Sequence, residues 1–585
     1  MNNRLWLGWI VPAVLATCGP ALANGLDNVT RATVAIDCKG PGTTGGFVGT
    51  GQVIHELGYI LTSTTVVPPK STNIRVHFIG PKTLPGRLVL ADEKLELAVI
   101  KVDRPADWPP FAVLPLGDSK SARVGQTVIT LGDAYSQFAA SGKFITSLGI
   151  LSGVYDLHRQ IAAQPVYVGR VLEATATIAP GMDGGPLLDN RGRLLGIISL
   201  NVSDARWMGV AVPIDALRDR LAEVIDADAT LSLGAKRGEV TLPATPPPGE
   251  LLYPAQEKVD EQFAAVARKI AGSVVAIDVD RKSETAATSQ PATTRPAQLG
   301  PPRRPQPRAD AAAYHEFFQR PKEPVTGVIV STTGHVLTSY YNVKGELNAI
   351  SVILPDGRKL PARLIGYDES QDLAMLKVQA SGLTPVRFPQ TAPELSTEVI
   401  TVGRSPDPAQ FTMTRGIISA VGRLNGSTLQ IDAATNYANS GGPVVDADGV
   451  CVGLVAHVNP EVIWGQNSGI GFAVAGPTID KDLPALMAGR NVEKVKRGFL
   501  GVTMGQGRTD QPGVSLGQVQ SAGPADRAGL KDADVITELD GQPVSDAADL
   551  QNLIAARKPG QTVHFTVRRG DKTLSIDVVL GERPY

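Results

Sequence analysis

The chain is poor in cysteine, with three in 585 residues. Cys18 falls in the N-terminal apolar stretch, while Cys38 and Cys451 lie in separate parts of the chain, so neither a disulfide framework nor a cysteine metal cluster can be assembled. Their simplest reading is as small buried apolar side chains. The chain also lacks an excess of one charge: 56 basic against 57 acidic side chains leave a formal net charge of -1. Without a basic field, nothing in the balance would gather nucleic acid or an anionic membrane surface. Beyond the first residues no apolar run approaches the ~20 residues that a membrane-spanning helix requires. No metal or cofactor is implied by any of these features.

What is present begins with a processing signal. Arg4 precedes an apolar stretch from Leu5 to Ala16, and Ala21-Leu22-Ala23 offers a small-residue cleavage site, so residues 1–23 read as an export signal. The mature chain is then expected to be exported. A lipid anchor at Cys18 is the minor alternative, with Thr17 standing where such sites prefer a smaller residue.

The remaining length is too great for one core and suggests three or four units. Two segments share an order of features. ATVAID from Ala32 leads to GTGQVIHELGYILTSTTVV, LELAVIKV, GMDGGPLLDNRGRLLGI and MGVAVPID. SVVAIDVD from Ser273 then leads to TGVIVSTTGHVLTSYYNV, QDLAMLKV, ANSGGPVVDADGVCVGL and IGFAVAGPTI. Short β-branched runs between Gly, Asn and Asp turns predict antiparallel all-β sheets or barrels. A Pro-rich join over 236–254 separates the copies. Val259, Phe263, Val266 and Ile270 at helical spacing predict an amphipathic helix over Glu257–Ala271 leading into the second copy. Residues 281–324, rich in Pro, Ala, Thr and Arg, predict a disordered insertion.

Both copies resemble the HtrA branch of trypsin-like serine proteases, on the GGP step, the LTS start and the acidic residue before Leu-Ala. The final segment, with RGFLGV, PADRAGLKDADVITELDGQPV and the helical ADLQNLIAARKPG, resembles an HtrA-type PDZ domain; Ala533 stands where that family usually has Gly. The resemblance implies a mainly all-β chain: two trypsin-like double β-barrel domains in tandem (25–235 and 255–490), followed by a small α+β PDZ domain (497–585).

Acyl transfer on such a fold needs a serine nucleophile, a histidine base and a carboxylate that orients it. By resemblance the first copy places Thr65 at the His position, Glu96 at the acidic position and Asp183 at the nucleophile position. Thr65 cannot accept a proton near neutral pH, and a carboxylate is a poor attacker of peptide carbonyls. The second copy keeps Ser440 and Asp372 as remnant triad positions but has Tyr341 where the base belongs, and a phenol, with an ordinary pKa of about 10, donates rather than accepts. Ala438 replaces the Gly that supplies an oxyanion amide. His335 lies six positions before Tyr341 on one strand, too far to substitute, which leaves His457 as the alternative base. Losing the base costs about six decades of rate in the subtilisin case worked out for such triads. Each residue also has a structural reading. Gly441 and Gly442 shape a tight turn, the Tyr341 hydroxyl reaches Asp372, and the Asp183 carboxylate folds onto the amides of the former oxyanion hole.

The PDZ resemblance implies capture of an extended peptide as an added strand. Phe499, Leu500 and Gly501 would form the carboxylate-binding loop, Val502 the start of the edge strand, and Leu550 with Ile554 an apolar pocket. The expectation is an exported, noncatalytic HtrA-like protein that binds peptides or unfolded segments, chiefly at their C-termini. The alternatives are an active endopeptidase using Ser440 with an unconventional base, and a regulatory subunit for other HtrA-type subunits.

Overall fold

A computed structural model describes residues 20–40, 46–80, 82–134, 138, 142–157, 167–199, 209–245, 250–282, 323–436, 439–456, 470–493, 497–505, 513–521 and 523–582. Most of the export signal, most of the 281–324 insertion, Ala438 and His457 lie outside the described residues.

The helix α1 (Pro20–Ala32) leads into six strands: β1 (Thr33–Lys39), β2 (Gly46–His55), β3 (Tyr59–Thr62), β4 (Thr72–Phe78), β5 (Lys82–Asp92) and β6 (Leu97–Val102). They close into a barrel in the order β1-β2-β3-β6-β5-β4. Strands β7 (Thr127–Gly132), β8 (Ile145–Leu157), β9 (Gly169–Ala174), β10 (Pro186–Asp189), β11 (Leu194–Ile198) and β12 (Gly209–Pro213) close a second one, β10-β11-β12-β9-β8-β7. Helix α2 (Ile214–Leu233) follows, burying Leu217, Leu221 and Ile225 on one stripe against the core that both barrels share.

The second copy repeats this. Helix α3 (Pro254–Ile270) precedes β13 (Val274–Arg281), β14 (Val325–Ile329), β15 (His335–Ser339), β16 (Leu347–Ile353), β17 (Lys359–Asp368) and β18 (Leu373–Val378). These close through a β16–β17 pairing, with β25 (Asn491–Val492) added parallel to β17. Its second barrel is β19 (Glu398–Gly403), β20 (Thr412–Gly422), β21 (Thr428–Ile431), β22 (Pro443–Asp446), β23 (Cys451–Val455) and β24 (Gly471–Ala475), followed by helix α4 (Gly476–Met487). Register makes the repeat quantitative: Thr33 pairs with Gln52 and Ala35 with Thr50, as Val274 pairs with Val328 and Ala276 with Thr326.

The C-terminal unit is a sheet β27-β28-β29-β31-β32, built from Val502–Met504, Val514–Val519, Val535–Leu539, Thr562–Arg569 and Lys572–Val579. Two short strands, β26 (Gly498–Phe499) and β33 (Gly581–Glu582), pair beside it, and helix α5 (Ala547–Ala555) is capped by Asp546, whose carboxylate accepts from the Asp549 amide at 2.9 Å. The turn strand β30 (Gln542–Pro543) pairs with β29.

The expected helix before the second copy exists, but it starts earlier and buries a different stripe. Asp260, Phe263, Ala264 and Ala267 are inside, while Val259, Val266 and Ile270 are only partly covered. The difference follows from packing on two sides. Phe263 and Ala267 share a core with Val274, Ile400 and Met413 of the second copy and Ile150 of the first, so the helix is wedged between the copies. Asp260, 1% exposed, accepts from Thr127 Oγ1 of the first copy and from Gln256 Nε2 at 3.0 Å. Its Oδ1 lies 2.8 Å from Arg415 Nη1 of the second copy, an ion pair by distance. Burial pushes the Asp260 carboxyl above the ordinary aspartate value, against these lowering influences.

The copies meet through the same strand of each, β8 and β20. Leu148 pairs with Ile129 on β7 as Arg415 pairs with Ile400 on β19, and Thr175 bonds to Ile150 O as Asp432 does to Ile417 O. A cavity of about 250 Å³ at this seam is lined by both members of each equivalent pair, Leu148 with Arg415 and Thr175 with Asp432, together with Gln256. The contact is therefore self-facing, in the manner of an isologous dimer. Cys38 and Cys451 are both buried and free, and burial pushes the Cys451 thiol up to about 12, which leaves it inert.

Candidate functional site

In each copy the site is assembled between the two barrels by a pair of threonines that recurs in the other copy. Thr62 Oγ1 donates to Thr50 O at 2.7 Å, and Thr338 Oγ1 donates to Thr326 O at 2.7 Å. Thr50 Oγ1 accepts from the Asp133 amide at 2.9 Å, and Thr326 Oγ1 from the Arg404 amide at 2.9 Å. The glycine after each nucleophile position has left-handed backbone, φ 75° at Gly184 and 80° at Gly441. A Cβ at Gly184 would strike Thr62 Oγ1 and Thr50 O; one at Gly441 would strike Thr338 Oγ1 and Thr326 O. The glycine motif is thus required by the barrel junction itself. It persists in the first copy, whose preceding residue is Asp183.

In the second copy Asp372 sits at φ 56° immediately before β18. Its Oδ2 accepts from Ser339 Oγ at 2.7 Å and its Oδ1 from the Tyr341 amide at 2.8 Å. The one-turn helix Tyr340–Val343 presents the Tyr341 amide to this carboxylate. Tyr340, beside it, stacks on Tyr367 with ring centroids 4.5 Å apart. Ser440 is completely buried, and its hydroxyl has no hydrogen-bond partner among the described residues. Its carbonyl accepts from Asn342 Nδ2 at 2.9 Å. His335 sits at the opposite end of β15, where Nδ1 bonds with Ser331 Oγ at 2.7 Å.

In the first copy Glu96 occupies the place of Asp372, with φ 53° and 1% exposure, and Ser199 Oγ donates to its Oε2 at 3.4 Å. Asp183, at the nucleophile position, is held by hydroxyls of the LTSTT turn. Its carboxylate Oδ2 accepts from Thr65 Oγ1 and from Ser63 Oγ, the latter at 3.4 Å. Ser63 and Thr65 are themselves 2.5 Å apart. The acidic side chain thus meets two hydroxyls, one of them that of Thr65 at the His position. Sequence reasoning missed Ser63, although its equivalence to Ser339 in the two LTS steps was a usable signal.

In the C-terminal unit Gly501 has φ 79°, its carbonyl accepts from the Gln520 amide at 2.8 Å, and Leu500 O accepts from the Ala525 amide at 3.0 Å. Phe499 pairs with Gly581, and Val502 begins the terminal strand of the sheet, paired on one side to Val519. Leu550 and Ile554 lie on the inner face of α5, buried in one core with Leu500, while Val502 and Met504 are partly covered. Ala533 has φ 64°, the left-handed conformation that explains a glycine preference there.

Paired closed barrels meeting at a Thr-supported glycine turn define a trypsin-like peptidase fold, present twice. A trypsin-like peptidase domain model matches residues 49–197 and 325–454, and a PDZ domain model matches 498–580. A probable periplasmic serine endoprotease DegP-like from Chlamydia pneumoniae is 31% identical over 368 residues, covering 56% of this chain and 70% of that protein. Similar proteins of that name from Rhizobium meliloti and Hahella chejuensis are each 34% identical and cover 45% and 44% of this chain; the chain spans 54% and 57% of their lengths. Among solved structures, a serine endoprotease from Yersinia pestis is 25% identical with a TM-score of 0.31, covering 55% of this chain and 98% of that one. The HtrA-type protease AlgW with decapeptide is 27% identical with a TM-score of 0.30, covering 55% and 99%. The chain belongs to the HtrA-type, DegP-like family of trypsin-like proteases that carry a PDZ domain.

Proposed function

We propose that this protein is an exported HtrA-like pseudoprotease that captures peptides or misfolded chains through its PDZ domain, with protease domains at 25–235 and 255–490 that no longer cut. The observation that carries the reading is the state of Ser440: entirely buried, with no hydrogen-bond partner among the described residues. Asp372, which would orient a base, instead accepts from the Ser339 hydroxyl and the Tyr341 amide. A serine hydroxyl without an adjacent base is an ordinary alcohol. In the first copy the nucleophile position holds a carboxylate engaged by Thr65 and Ser63.

Peptide capture rests on the terminal strand β27 beside the Phe499-Leu500-Gly501 loop, the arrangement needed for strand addition. Export rests on the N-terminal signal reading and on relatives named as periplasmic. No helix among the described residues is long and apolar enough to cross a membrane.

The relatives are named serine endoproteases, which makes an active enzyme the second reading. Casein digestion separates the two. The expected result is no cleavage above background and no change on Ser440→Ala. Cleavage abolished by that substitution, or a fluorophosphonate adduct located on Ser440 by peptide mass spectrometry, establishes an endopeptidase and ends the pseudoprotease reading. Binding of C-terminal peptides, read by fluorescence polarisation, is expected to be lost on Gly501→Val.

A further inference from the structure

Outside both protease clefts, the outer face of the C-terminal sheet carries a carboxylate, an imidazole and a hydroxyl in line. On the hairpin β31–β32, His564 stands directly opposite Asp577, and Thr566 stands opposite Ser575. Residues two apart share a face, so His564, Asp577 and Ser575 project together. His564 Nδ1 lies 2.6 Å from Asp577 Oδ1, and His564 Nε2 lies 2.7 Å from Ser575 Oγ. With the imidazole neutral and the carboxylate ionised, these contacts require the proton on Nδ1, because a carboxylate can only accept, and leave Nε2 to accept from the serine hydroxyl. That is the tautomer a serine nucleophile requires of its base. Neither protease cleft shows it among the described residues.

Two neighbours complete a rudimentary site. Arg568 lies on the same face as Thr566, and its pairing with Thr573 places it diagonal to Ser575, within the reach of a long side chain. Among the described residues it enters no ion pair or side-chain hydrogen bond. Val579, 57% exposed and opposite Thr562, supplies an apolar surface on the same face. The Asp37–His77–Thr83 contact in the first copy is a weaker analogue. There the hydroxyl belongs to a threonine on Nδ1, and Asp37 is shared with Arg75.

We propose that Ser575, with His564 as base and Asp577 as its orienting acid, is an acylatable nucleophile toward small activated esters, and that Arg568 faces the developing oxyanion. Ser575 Oγ bonds to the ester carbonyl carbon as its proton passes to Nε2. The bond to the leaving alcohol breaks and that alcohol takes the proton. Water then attacks the acyl-serine, giving its proton to Nε2, and the serine oxygen leaves with that proton. The exposed face of His564, Ser575 and Asp577 fits a small aryl ester better than a folded peptide chain.

The test uses the full chain, a fluorophosphonate probe and peptide mass spectrometry, alongside hydrolysis of 4-nitrophenyl acetate. The expected result is an adduct on Ser575, with label yield and ester hydrolysis falling by about tenfold or more in His564→Gln and in Asp577→Asn, a conservative figure for loss of general-base assistance. Ser575→Ala abolishes the adduct. All three positions are exposed, so unchanged melting curves verify folding. No adduct on Ser575, or an adduct whose yield is indifferent to His564→Gln, overturns the proposal. An adduct on Ser440 bears on the protease clefts instead, so the two readings fail separately.

Discussion

Gln52 gives the sharpest test of the energetic reasoning. It is completely buried on β2, its neighbours in register are Thr33 and Leu61, and neither amide atom has a hydrogen-bond partner among the described residues. The equivalent residue in the second copy is Val328, packed with Leu337 in the core between the barrels. The fold therefore accepts an apolar side chain there, and the amide bears a desolvation cost of about 1–3 kcal/mol with nothing to offset it. Gln52→Leu keeps nearly the same length and removes both polar atoms. It should stabilise the first copy by that amount, raising its melting transition by roughly 2–12 °C at about 2–4 °C per kcal/mol for a unit of this size. Because a multidomain chain does not melt in one step, calorimetry should be accompanied by amide exchange on the strands of the first copy. A lower transition in Gln52→Leu would refute the reasoning, since it would mean that the amide is satisfied in solution. Val328→Gln is the reciprocal change and should destabilise the second copy by a similar amount.

Two further predictions concern charge. Asp183→Ala removes the acceptor shared by Ser63 and Thr65, and should lower the stability of the first copy by about 1–3 kcal/mol, read by chemical denaturation; an unchanged midpoint would show that the acidic side chain is incidental. Asp534 is buried, which acts to raise its pKa, but a bidentate Arg569 at 2.7 Å to each oxygen and the Lys531 amide at 2.9 Å hold it below the ordinary aspartate value. Since its folded pKa is depressed, its contribution to PDZ stability is present above the unfolded value and is lost as pH falls through the folded one. Arg569→Gln should bring acid unfolding of the PDZ strands to a higher pH by amide exchange; identical acid profiles would refute this.

The β-rich repeat was legible because turn residues and β-branched runs recur in one order. The destination of side chains was not. Asp183 and Thr65 are 118 residues apart, and only the closed barrels bring them together. The α3 stripe was misread because a helix wedged between two partners buries polar Asp260, which a one-sided apolar pattern ignores. The Asp577–His564–Ser575 line depends on hairpin register, and a slip of one residue would send those side chains to opposite faces.

The self-facing seam between the copies has an evolutionary consequence. In a homodimer every substitution at a two-fold contact appears twice and must be compatible with itself, so a leucine cannot become an arginine without placing two cations at the junction. Covalent linkage lifts that constraint. One half can hold Leu148 and Thr175 while the other holds Arg415 and Asp432, and each half is free to specialise while the contact survives.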